Sequence, residues 1–198
     1  MLKNIQGLKY PDEHLVRFFF KEKLNQITGS VLELGCGNGN NLMLFAEYNW
    51  NIMGVDINNK LIGAANFNFK HLNKNNFRFK TNDMVKFIKK YNGEKFDCFL
   101  LPNSLYYLSE EKIIELLKLI QDKKILKRTS LIYVCSPSNP EGVSLKLDEW
   151  KDLIYLARNN NSILIVDECY TDIYSGSPPI GVLEACEKLN TNISNIVS

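Results

Sequence analysis

The chain has 198 residues, 45% hydrophobic and 23% charged, the proportions of an ordinary globular protein, which excludes disordered and fibrous classes. A net charge of +2, with Lys residues scattered and in no dense block, argues against a nucleic-acid partner. No apolar run approaches the ~18 residues of a membrane span, and MLKNIQGLKYPDEH lacks a signal-peptide core, so neither a membrane partner nor export is expected.

In chain order, the spacing of Leu15, Val16, Phe18, Phe19, Phe20 and Leu24 predicts a helix from near Pro11 to Gln26, with the FFF run as core or lid. Short apolar runs and helical patterns then alternate: strand 31–34, helix 40–48, strand 52–56, helix 59–69, strand 77–80, helix 84–90, strand 96–101 and helix 109–121. Strand 131–135, helix 147–159, strand 163–167 and helix 180–188 continue the rhythm, and NISNIVS would begin a further strand. Such alternation predicts an α/β fold with a Rossmann-like, mostly parallel sheet and helices on both faces. The polar, basic stretch Asp122 to Ser130 is too short for a flexible tether; it separates residues 1–125 from 126–198 within what is expected to be one sheet. Five cysteines without a CxxC pair read as buried free thiols in a reducing cytoplasm, and no metal site is assigned. The abundance of Asn, Lys and Ile reads as a bias of the coding sequence.

Glu33, Gly35, Cys36, Gly37, Asn38 and Gly39 sit where a strand turns into a helix, and the glycines permit close backbone approach, so a ligand can lie against the turn. Asp56 ends the next strand about 17 residues later, near the spacing of an acidic group that accepts hydrogen bonds from ribose hydroxyls. GCGNGN lacks the G-x-G-x-x-G spacing of dinucleotide sites. At ELGCGNG the chain resembles the class I methyltransferases that use S-adenosylmethionine, over about residues 10–121. The resemblance implies S-adenosylmethionine as cofactor, with the glycine loop near its methionine moiety and Asp56, followed by Ile57, on its ribose. Asn82, Asp83 and Met84 match the adenine-binding position, and Asp97 with LLPNSLYYL, from Pro102 onward, matches the fourth strand and the loop bordering the methyl group. Asn103, Tyr106, Tyr107 and His14 are candidates to position an acceptor; no catalytic residue is assigned. Plainer roles exist for several of these: Asp56, Asn82 and Asp83 as helix caps, Tyr106 and Tyr107 as packing residues, His14 as structural. The Asn-Pro-Pro-aromatic motif of methyltransferases acting on amide or base nitrogens is absent, which favours a small-molecule acceptor.

SPSNPEG (136–142) follows one apolar strand and DECY (167–170) ends another about 28 residues after Asn139, so both would stand at the carboxyl ends of adjacent parallel strands. Over residues 126–198 these motifs resemble fold-type I pyridoxal-phosphate aminotransferases of class I/II. The resemblance implies vestigial cofactor positions at Asn139 and Tyr170, toward the phenolic oxygen, and at Asp167, toward the pyridine nitrogen. The Schiff-base Lys, phosphate loop and substrate Arg are unmatched, so pyridoxal-phosphate catalysis by this chain alone is not expected. The sheet would then be a methyltransferase sheet closed by an aminotransferase-like βαβ unit. Methyl transfer to a small molecule is the leading expectation. A non-catalytic chimera with a vestigial cofactor pocket and an aminotransferase fragment are the alternatives; oligomeric state is left open.

Overall fold

The computed structural model describes residues 4–101, 104–137 and 142–198. Asp12 opens the first helix, its carboxylate accepting the His14 and Leu15 N–H groups, and α1 runs over Glu13–Lys21. The apolar spacing predicts a longer helix, but Lys23 adopts left-handed backbone (φ 56°) and a 3-10 turn, Leu24–Gln26, follows. Leu24 continues the helical period only in sequence.

The elements that follow are β1 (Ser30–Leu34), α2 (Asn40–Glu47), β2 (Asn51–Asp56), α3 (Asn59–His71), β3 (Phe77–Thr81), α4 (Met84–Lys90) and β4 (Phe96–Leu101). After a 3-10 turn at Leu105–Tyr107 come α5 (Glu110–Asp122), β5 (Leu126–Cys135), α6 (Leu147–Asn159), β6 (Ile163–Asp167), α7 (Val182–Lys188) and β7 (Ile196–Val197). The strands form a seven-stranded α/β sheet in the order β3-β2-β1-β4-β5-β6-β7. Pairings of β1 with β2, β2 with β3, β5 with β6 and β6 with β7 are all parallel. One boundary differs from expectation: β5 begins at Leu126, inside the stretch expected to be a connector. Polar side chains at 127–130 hide the strand from an apolar-pattern reading, whereas ladder hydrogen bonds need only backbone. Among the described residues no helix is long and apolar enough to cross a membrane.

Contacts divide the chain into two units, Met1–Cys98 and Phe99–Ser198. In the first, Phe18 and Phe19 are core and Phe20 is exposed. Phe19 meets Phe45 edge-on at 5.0 Å and Phe45 meets Trp50 at 5.2 Å. Side-chain alternation along β3 sends Phe77 and Phe79 toward Phe69 of α3 and Lys80 toward Phe87 of α4, so helices cover both faces of the strand. Gly54 in β2 lets these layers close: a Cβ there would stand 2.6 Å from the Phe79 ring and 2.7 Å from the Cys36 sulfur. Gly54→Ala is expected to cost about 1–3 kcal/mol through overpacking, read as a lower urea midpoint. In the second unit, buried Trp150 of α6 donates from Nε1 to the Ile180 carbonyl (2.9 Å), and Glu149 accepts the Lys146 N–H at the start of α6 (2.7 Å).

Candidate functional site

The glycine loop leaves β1 through Gly35, whose N–H, like that of Cys36, donates to the Val55 carbonyl of β2 (2.7 and 3.1 Å). Gly37 has φ +53°, and a Cβ built on it meets nothing within 4 Å. At that point the loop therefore exposes bare backbone to open space, where glycine is needed for conformation and not for packing. Gly39, also left-handed (φ 80°), is the N-cap of α2.

Asp56 reaches back from the end of β2. One of its carboxylate oxygens accepts the Gly37 N–H (2.9 Å) and the other the Asn58 N–H (2.8 Å). Capping of α3 falls to Asn58, whose side chain accepts from Lys60 and Leu61, so the plain capping role considered for Asp56 is filled by another residue. Ile57 beside it is 73% exposed. Asn82 donates its N–H to the Asp56 carbonyl (2.9 Å), bringing the third-strand loop against the second. Asp83 does cap α4, accepting from the Lys86 N–H, and Met84 is the first helical residue.

Glu33 is only 2% exposed. Its Oε1 accepts from Asn41 Nδ2 (2.9 Å), and its Oε2 is buried with no hydrogen-bond partner. Burial pushes the carboxyl up to about 8; the Asn41 bond opposes this, and the charges of Asp56 and Asp12 add to it. Glu33 is accordingly held mostly protonated at neutral pH. Burial, followed by the charges of Glu33 and Asp56, also raises the Cys36 thiol well above its usual range, which removes it as a nucleophile.

Sequence reasoning missed what lies over this loop. Residues 6–12 are strapped down by asparagines: Asn38 Nδ2 donates to the carbonyls of Gln6 (2.8 Å) and Leu8 (2.7 Å). Asn68 accepts from the Gln6 N–H (2.9 Å) and donates to the Gln6 and Asn38 carbonyls, while Asn41 accepts from the Asp12 N–H (2.9 Å). Asn38, Asn41 and Asn68 are buried, so these members of an Asn-rich composition have a structural task that the reading as coding bias overlooked. Their alternation with the loop glycines was the available signal for Asn38; nothing local marked Asn68. Asn68→Ala is expected to cost about 1–3 kcal/mol by leaving buried polar groups unpaired, and to speed amide hydrogen exchange selectively across residues 6–12.

The structure thus brings Glu33, Gly35, Cys36, Gly37, Asn38, Gly39, Asp56 and Asn82 together. His14 stands in the first turn of α1, its N–H on Asp12. Tyr106 and Tyr107 lie in the Leu105–Tyr107 turn, where Tyr107 is 74% exposed. Asp97, at the start of β4, accepts from the Ser30 N–H and hydroxyl (2.8 and 3.1 Å), a strand-to-strand tie at the end of the sheet away from the glycine loop. Pro102, Asn103 and Asn139 lie outside the described residues.

At the second constellation, buried Asp167 accepts from the Tyr133 hydroxyl on one oxygen and from the Cys169 N–H on the other (both 3.2 Å). The Ser136 N–H reaches the Asp167 carbonyl (2.9 Å), and the Ser136 hydroxyl accepts the Leu145 N–H (3.0 Å). Asp167 is built in as a brace at the ends of β5 and β6. Tyr170 lies half-buried in the following turn.

A family model described as a methyltransferase domain matches residues 28–177. The chain belongs to that family. Its recognition as a class I S-adenosylmethionine methyltransferase domain follows, and the match runs past residue 126 through both SPSNPEG and DECY. Solved structures of similar fold include that described as "Conversion of a Disulfide Bond into a Thioacetal Group during Echinomycin Biosynthesis", 19% identical, TM-score 0.50, covering 60% of this chain and 45% of that one. Another is monomeric WbdD, 15% identical, TM-score 0.51, covering 59% of this chain and 30% of that one. In sequence the chain is also similar to the probable LL-diaminopimelate aminotransferase, chloroplastic, of Oryza sativa subsp. japonica, 33% identical over 63 residues. That similarity takes in 32% of this chain, which spans only 14% of the rice protein's length.

Proposed function

We propose that the chain transfers a methyl group from S-adenosylmethionine to a small-molecule acceptor, with the cofactor seated on the Glu33–Gly39 loop. The observation that carries this reading is Gly37: bare backbone facing open space, its N–H fixed by Asp56. A merely structural turn has no need of that space. When bound, the cofactor supplies an activated methyl on a sulfonium, so the chain's task is alignment and exclusion of water.

In this reading Asp56 keeps lone pairs for the ribose hydroxyls while clamping the loop. Ile57 offers an apolar surface beside it, and Asn82, Asp83 and Met84 border the adenine. The unpartnered Oε2 of Glu33 supplies a polar atom beneath the loop. Pro102 is assigned to the cofactor, and Asn103, Tyr106, Tyr107 and His14 remain the candidates to position the acceptor. Residues 1–125 are assigned the chemistry; residues 126–198 are an aminotransferase-derived closing unit, in which Asp167 accepts from Tyr133 and Cys169. Free thiols at Cys36, Cys98, Cys135, Cys169 and Cys186 suit a cytoplasmic setting.

Calorimetric titration with S-adenosylhomocysteine, beside a pyridoxal-phosphate titration, tests the proposal. Saturable one-to-one binding of the first and none of the second is expected. Gly37→Ala should cost only ~1 kcal/mol of stability, from a Cβ at positive φ, yet weaken S-adenosylhomocysteine at least tenfold, ~1.4 kcal/mol. Absence of binding in a cooperatively folded chain overturns the proposal in favour of a non-catalytic chimera.

A further inference from the structure

A groove of about 750 Å³ opens in the first unit, and the first residues of β1 to β4, Ser30, Asn51, Phe77 and Phe96, line it. These are the strand ends opposite the glycine loop. The groove continues along the α4 side of β3, and its size is in the range of small-molecule sites. Four cations converge on it from three elements: Arg78 and Lys80 from β3, Lys90 from the end of α4, and Lys95 from the turn before β4. Glu94 is the one acidic lining residue.

Among the described residues none of the four cations has a carboxylate within ion-pair distance. Lys80 instead stands 5.7 Å from the centre of the Phe87 ring, a contact that holds the ammonium without neutralising it. The turn that forms the groove's wall is a defined structure. The Tyr91 hydroxyl donates to the Glu94 carbonyl (2.7 Å), and a Cβ on Gly93 would lie 2.5 Å from that hydroxyl. Arg78 and Lys80 alone would pass as charges that protect an edge strand from pairing. That role does not explain Lys90 and Lys95 on the same lining, where like charges repel unless an anion joins them.

We propose that this groove is a second ligand site, separate from the methyl-transfer pocket, for a small polyphosphate-type anion, either free or as the phosphorylated end of a larger metabolite. Asn75 and Asn76, also on the lining, offer neutral amide donors to the same ligand.

The test is calorimetric titration of the full chain with sodium tripolyphosphate, with citrate as a carboxylate arm and a short single-stranded oligonucleotide as a polymer arm. Saturable one-to-one binding of tripolyphosphate, with citrate weaker, is expected. Arg78→Gln with Lys80→Gln should weaken it at least tenfold and leave S-adenosylhomocysteine binding and its proposed pocket untouched. A control pair on α5, Lys112→Gln with Lys118→Gln, should leave both unchanged. Equal weakening by the control pair, citrate binding as well as tripolyphosphate, or tighter binding of the oligonucleotide would each overturn the proposal. So would no saturable binding, and aggregation of the β3 double variant would then assign Arg78 and Lys80 to edge protection alone.

Discussion

Asp56→Ala is expected to lower the affinity for S-adenosylhomocysteine about a hundredfold, ~2.7 kcal/mol at 25 °C. Two losses combine. The proposed acceptor for the ribose hydroxyls disappears, and bonds to a charged acceptor are worth roughly 1.5–3 kcal/mol each. The Gly37 N–H, now 2.9 Å from the Asp56 carboxylate, and the Asn58 N–H, at 2.8 Å, also lose their partner, so the loop is no longer held in its left-handed conformation. Asp56→Asn separates the two. Its amide oxygen can still accept from one N–H and preserve part of the loop, but its NH₂ cannot accept from a hydroxyl. Asparagine should therefore recover most of the stability lost by alanine, read as the urea midpoint, and little of the affinity, read by calorimetry. Binding of the alanine variant within threefold of the parent would remove Asp56 from the site.

The parts of this site that were legible in the sequence are those whose physics is local. Gly35, Gly37 and Gly39 take positive φ, a demand that marks the residue itself, and Asp56 stands at a strand end whose distance from the loop is set by one helix and one strand. The strap was illegible for the converse reason. Gln6 meets Asn68 across 62 positions and Asn38 meets Leu8 across 30, and an asparagine that satisfies buried backbone looks in sequence like one that faces water. At β5 the polar run 127–130 concealed a strand because hydrophobic alternation reports burial and not backbone pairing. DECY illustrates a third limit. Similarity to aminotransferases suggested a pyridine nitrogen as the partner of Asp167, while its hydrogen bonds to Tyr133 and Cys169 give it a part in holding β5 to β6.

Glu33→Gln is expected to change the pH dependence of stability more than any other single substitution here. The Glu33 carboxyl sits at about 8 in the folded chain against 4.5 as its ordinary value, and burial is the chief cause. Between these values the folded chain keeps a proton that the unfolded chain gives up, so stability falls as pH rises from about 4.5 to about 8 and is flat above. At ~1.4 kcal/mol per pH unit, this one group costs up to ~5 kcal/mol at pH 8 relative to pH 4. Glutamine keeps an oxygen to accept from Asn41 and cannot ionise. The variant should match the parent near pH 4 and exceed it by several kcal/mol at pH 8, read as urea midpoints across that range. The same substitution tests what the charge does for the ligand. The α-ammonium at the amino-acid end of the ligand, set near Oε2, would favour the ionised carboxylate, so binding of S-adenosylhomocysteine, which has no sulfonium but keeps that ammonium, should release a proton at pH 7 in the parent and none in Glu33→Gln, measured as the difference in binding enthalpy between two buffers of unlike ionisation heat. Equal proton release in both chains would leave Glu33 as a buried brace for Asn41, with no part in holding the cofactor.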